Sequence, residues 1–153
     1  MEARAALMDA VLHPSKTKLL DAALQVIRTK DYSATTIDDI CAAAGVTKGS
    51  FFHHFKGKLE LALAAVEHWN AMTGGFFAQA PYRQFADPRE RLLAYMDFRA
   101  EILRGELPDF TCPLGTMVQE TFVTHTRIRD ACNQGIEQHT RTVASDIAAA
   151  RAM

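Results

Sequence analysis

The stretch AGVTKGSFFHHF, Ala44 to Phe55, puts two glycines, three phenylalanines and two adjacent histidines into twelve residues. Gly45 reads as the stop of one helix and Thr47 as the cap of the next, a very short one ending near Phe55. At about 100° per residue, Phe51 and Phe55 share one face of that short helix and belong in a small core with Val46. Gly49, Ser50 and His53 lie opposite, and Phe52 and His54 fall on the two flanks. A glycine inside a helix costs about 1 kcal/mol relative to alanine. On so short a helix that loss makes sense if another molecule must come close to the backbone. A helix of this size fits the DNA major groove, where Lys, Ser, Thr and His bond base edges or phosphates. A metal pair at His53-His54 is not expected, because adjacent helical residues point about 100° apart and neither has a ligand four residues on. No nucleophile or orienting partner suggests a catalytic site, and nothing implies a cofactor.

The flanking sequence supplies two more helices. Pro14-Ser15 announces the first, with Ser15 as its N-cap, and Leu20, Ala23, Leu24 and Ile27 form one apolar stripe. Thr36 caps the second, with Asp38 and Asp39 in the first turn where the helix dipole favours negative charge. Its stripe is Ile37, Ile40, Cys41 and Ala44. Helix, glycine turn and helix behind one supporting helix make a helix-turn-helix within a three-helix unit.

The rest of the chain reads as helical too. KGKLELALAAVEHWNAM is a longer fourth helix, expected to break at Gly74-Gly75, with Pro81 marking a boundary. Asp87-Pro88 is a cap followed by proline, opening a helix through Leu92, Tyr95, Met96, Arg99, Ile102 and Leu103. RGELPDFT reads as a loop, and Cys112-Pro113 repeats the cap-then-proline pattern. A last stripe runs through Ile128, Cys132, Gly135, Ile136, Val143, Ile147 and Ala150. β-branched residues never alternate in a run, so no strand is expected. The reading is all-α, with roughly eight helices.

Composition sets outer limits. At 153 residues the chain is most simply one domain, and hydrophobic content of 48% and charged content of 23% suit a globular protein with an ordinary core. No stretch approaches the roughly 18 uninterrupted apolar residues of a membrane span, and MEARAALMDAVLHP lacks the basic-then-apolar pattern of a secretory signal. Cys41, Cys112 and Cys132 are an odd, widely spaced count that suits a reducing cytoplasm better than a disulfide framework. Net charge is −1, yet Lys16, Lys18, Arg28, Lys30, Lys48, Lys56 and Lys58 face only Asp21, Asp31, Asp38 and Asp39 over residues 13–58. A basic first third on an acidic body suggests a local anionic partner.

Ala22-Ala23, TTIDDI, AAGVTKGSFFHHF and Lys58 resemble the N-terminal DNA-binding domain of TetR-type transcriptional regulators, specifically over about residues 16–63. The resemblance implies that Thr36 contacts phosphate, that Thr47, Lys48, Gly49, Ser50 and His53 face the groove, and that His54 and Lys58 sit on phosphates. Lys58 would lie where the fourth helix also turns N–H groups toward an anion. At Phe52 the family usually has tyrosine, whose hydroxyl touches a phosphate; Phe52 can pack against sugars but lacks that bond. Leu59 stands where the family usually has glutamate.

The resemblance further implies a three-part organisation: an extension over 1–14, the helix-turn-helix domain over 15–58, and a helical effector-binding and dimerisation domain over 59–153. The expected activity is regulation of transcription, as a ligand-responsive repressor on a near-palindromic double-stranded operator. Its partners would be that DNA, a small apolar or amphipathic effector and a second copy of the chain. Candidate effector residues are Trp69, Met72, Phe76, Phe77, Tyr95, Phe98, Ile102, Met117 and Phe122, each of which also suits plain core. Cys112 at an N-cap is a candidate redox-sensing thiol, whereas Cys41 and Cys132 read as core. The family normally ends in two long helices, and this chain stops inside or just after the first, so a C-terminal truncation is expected. The competing reading is an all-α ligand-binding or interaction protein with weakened or lost DNA binding.

Overall fold

The computed structural model describes residues 13–153. The extension expected over 1–14, apart from its last two residues, lies outside them. The described residues form eight α-helices and one 3-10 turn, with no strand. We label them α1 (Pro14–Lys30), α2 (Ile37–Ala44), α3 (Lys48–His54), α4 (Lys58–Ala78), the 3-10 turn (Pro81–Gln84), α5 (Pro88–Glu101), α6 (Leu107–Phe110), α7 (Pro113–Thr121) and α8 (Thr126–Arg151). Among the described residues no helix is long and apolar enough to cross a membrane.

The chain divides into two compact units, one reaching Ala65 and the other running from Val66 to Met153. The division falls inside α4, on whose first turns Leu61, Ala62 and Ala65 are buried.

In the first unit the α1 stripe is buried as expected: Leu20, Ala23, Leu24 and Ile27 are at most 4% exposed, and Leu19 is fully buried beside them. The cap of α1 is not Ser15. Pro14 has no N–H and a fixed φ, so it takes the first helical position and moves the cap to His13, whose Nδ1 accepts the Ser15 N–H at 3.3 Å. At α2, Thr36 Oγ1 accepts the Asp39 N–H at 3.1 Å and Asp39 Oδ2 accepts the Thr36 N–H at 3.0 Å, a reciprocal capping box. Gly45 closes α2 in the left-handed region, at φ 67°, where an L side chain is strained.

The second unit has a core of Leu114, Met117, Ile128 and Cys132, all at most 3% exposed. Helix α4 is not broken at Gly74-Gly75: it continues to Ala78, and Gly75 O still accepts the Gln79 N–H at 3.1 Å. Two glycines cost about 1 kcal/mol each in a helix, which packing of the next two residues, Phe76 and Phe77, offsets. RGELPDFT is not wholly loop. Asp109 Oδ2 accepts the Glu106 N–H at 2.8 Å and closes the single turn α6. Both cap-then-proline starts, at Asp87 and Cys112, are present, but only Asp87 accepts a helix N–H.

Candidate nucleic-acid interface

Helix α3 has only seven residues and one fully buried side chain, Phe51. A helix this short does not stand alone in water, so its orientation is set by that anchor, by the Phe55 ring 5.8 Å away, and by Thr47, whose Oγ1 accepts the Ser50 N–H at 3.1 Å. Lys48, Gly49 and His53 are exposed and Ser50 is half-buried. A Cβ built on Gly49 would meet nothing nearer than Thr47 Oγ1, at 3.7 Å. The fold itself therefore does not demand glycine there.

Phe52 is 53% exposed and lies edge-on to Phe51. Lys48 Nζ is 3.0 Å from Asp38 Oδ1 of α2, with both side chains exposed. Such a pair is worth little on its own, and it leaves the lysine ready to exchange one anion for another. Thr36 spends its hydroxyl on the capping box. Asp39, shared between that box and Lys30 at 2.8 Å, has its carboxyl lowered to about 2, chiefly by the Lys30 hydrogen bond and then by Thr36.

Two of the expected phosphate ligands are engaged within the unit. His54 is half-buried, and its Nε2 lies 2.7 Å from Ser15 Oγ. Burial, and then the charges of His53, His13 and Lys16, push its imidazole below the ordinary histidine value. Lys58 reaches back to the loop between α1 and α2. Its Nζ donates to Tyr32 O and Thr35 O, both at 2.9 Å, and to Ser33 O at 3.5 Å, and it lies 4.3 Å from the Tyr32 ring centre. Those bonds use the ammonium protons on main-chain oxygens rather than on a phosphate. Lys58→Met, which keeps the apolar stem, should cost roughly 1–3 kcal/mol because it leaves these carbonyls without their donor; denaturant unfolding measures it, and a loss below about 0.5 kcal/mol would show the tie to be idle.

In the second unit four of the nine candidate effector residues come together. Phe76, Phe77, Tyr95 and Phe98 form an aromatic group with Tyr82 and His139, which the sequence reading did not include. Tyr95 Oη and His139 Nε2 are 2.9 Å apart, the Arg99 guanidinium lies 5.5 Å from the Phe77 ring centre, and burial lowers the His139 ionisation. Trp69 and Ile102 are half-buried and Met72 is exposed. Met117 is fully buried core, and Phe122 is 62% exposed under the Arg129 guanidinium. Cys112 is exposed at the start of α7, Cys41 is buried, and burial pushes the Cys132 thiol up to about 12.

Asp146 was also missed. Its carboxylate is buried, 2.8 Å from Arg83 Nη1 and 3.0 Å from Arg91 Nε, and Arg91 Nη1 donates to Phe85 O at 2.7 Å. The signal was present: Asp146 lies three residues after Val143 and four before Ala150, on the apolar stripe of α8.

Residues 19–65 match the model of bacterial regulatory proteins, tetR family. The transcriptional regulator AcuR of Cereibacter sphaeroides is 32% identical over 99 residues, covering 58% of this chain and 45% of that protein. The HTH-type transcriptional regulator CymR of Pseudomonas putida is 52% identical over 50 residues, 33% of this chain and 25% of its own length. The chain thus spans half or less of these two relatives. Among solved structures, the regulatory protein TetR from Rhodobacter sphaeroides superposes with a TM-score of 0.77 at 27% identity, over 92% of this chain and 74% of that one.

Proposed function

We propose that this chain, whose residues 19–65 match the tetR family of bacterial regulatory proteins, is a DNA-binding regulator of transcription in the cytoplasm, a repressor released by a small apolar or amphipathic ligand. The observation that carries the reading is the two-sidedness of α3. Phe51 and Phe55 are held in the core while Lys48, Gly49 and His53 stand in solvent, on a helix sized for a major groove. Thr47 caps the same helix and Ser50, Phe52 and His54 lie on it, with Thr36 at the start of α2 and Lys58 at the start of α4.

The aromatic group around Phe77 is where a ligand would shift the second unit, changing the population of DNA-competent chains. Two copies would set two such helices about 34 Å apart on a near-palindrome. The family and the relatives' names support a regulator over an enzyme.

The test is fluorescence anisotropy on inverted-repeat duplexes across a salt series, with the mass in solution measured alongside. Binding should weaken with salt. Lys48→Ala combined with His53→Ala should weaken it at least about tenfold and make the salt slope shallower by about 1. No binding at low salt, or equal binding by the double variant, removes the reading and leaves an all-α interaction protein.

A further inference from the structure

We infer that Ser15 and His13 are positioning residues for α3: they hold His54 by one ring nitrogen and leave the other to take up a proton against a DNA phosphate, so that DNA binding is coupled to acidification. The inference rests on the DNA-binding reading above and adds to it a regulation of the same surface.

Donor counting fixes the direction of the hydrogen bonds. His13 Nδ1 accepts the Ser15 backbone N–H at 3.3 Å, so it is the bare nitrogen of that ring. The Ser15 hydroxyl, 2.8 Å from the same Nδ1, must then donate to it. Having one proton only, Ser15 Oγ can meet His54 Nε2, at 2.7 Å, solely as an acceptor. His54 therefore carries its proton on Nε2, and Nδ1 is the nitrogen that titrates. Protonation at Nδ1 breaks no bond in the chain from His13 through Ser15 to His54; it adds a charged donor at the end of α3.

Among the described residues, the charged groups that bear on His54 are His53 of α3 itself and then His13 and Lys16 of the α1 start. The His13 and His54 ring centres are 5.4 Å apart and those of His53 and His54 5.0 Å. Burial, and then the like charges, disfavour the charged ring in the free chain, and a phosphate oxygen at Nδ1 would favour it. The sign follows. The bound state holds more protons than the free state, so affinity rises as pH falls, and levels off once the free ring is itself protonated.

Two measurements test this on the 153-residue chain. Ring 15N NMR should find neutral His54 as the Nε2–H tautomer; the Nδ1–H tautomer would overturn the hydrogen-bond direction. Anisotropy with a labelled duplex of about 30 base pairs should show affinity rising about threefold to tenfold from about pH 7.5 to pH 6. His54→Gln should flatten that profile, Ser15→Ala should remove at least half of it, and Ser15→Thr, which keeps the hydroxyl, should restore it. A flat profile from the unsubstituted chain, or His54→Gln tracking it, overturns the coupling while leaving DNA binding standing. Absence of binding at every pH removes both.

Discussion

Phe51→Ala is expected to cost roughly 3–5 kcal/mol of stability and with it the DNA-facing surface of the first unit. The ring is fully buried, 5.8 Å from Phe55 and 5.1 Å from Phe52. Truncation removes the transfer energy of a phenyl ring and leaves a cavity that a well-packed interior closes only in part. Against a total of about 5–15 kcal/mol for a small domain, that is a large share. The consequence is sharper for α3 than for a longer helix, because Phe51 is its only fully buried side chain. Thermal and urea unfolding followed by circular dichroism measure the loss. A cost under about 1 kcal/mol would mean that α3 is positioned by something other than this ring.

The second large effect belongs to Asp146→Asn. The carboxylate is 12% exposed and accepts from two guanidiniums, Arg83 and Arg91. Neutralising it leaves two partly buried cations beside an amide that also presents donors to them. Removing one partner of a buried pair costs about 3–5 kcal/mol, and the partial exposure of Arg83 brings the expectation to roughly 2–4 kcal/mol. Asp146→Leu together with Arg91→Leu should recover part of that loss, since a buried ion pair replaced by apolar groups is often neutral. Urea unfolding of the three chains decides it: equal stability of Asp146→Asn and the parent would show that the carboxylate ties nothing together.

Local signals carried the first unit. The α1 stripe, the Thr36 cap, the Gly45 stop and the division of α3 into a buried and an exposed face are all set within a few residues, by periodicity and capping. What escaped was set by distance along the chain. Lys58 meets Tyr32, Ser33 and Thr35, and His54 meets Ser15, across more than twenty residues. A lysine or a histidine reads as a surface group until its partner is known. The break expected at Gly74-Gly75 failed for a related reason, because propensity is local while the packing of Phe76 and Phe77 is tertiary. In the second unit the aromatic residues were visible as types. Which four would meet, and that Tyr82 and His139 would join them, depended on the crossing of helices far apart in sequence.

The hold of Lys58 on the α1–α2 loop has a consequence for how freely that loop can change. Its ammonium grips main-chain oxygens, which every residue carries. The path into α2 is therefore specified without reference to the side chain at the exposed position Ala34. Tyr32 and Thr35, both buried, are not interchangeable in this way. At 34 only proline is barred by the backbone, because the Ala34 N–H is bonded to Asp31 Oδ1 at 2.8 Å. The turn that aims α2 and α3 can thus change its side chain at residue 34 while keeping its course, provided Asp31, Tyr32, Thr35 and Lys58 remain.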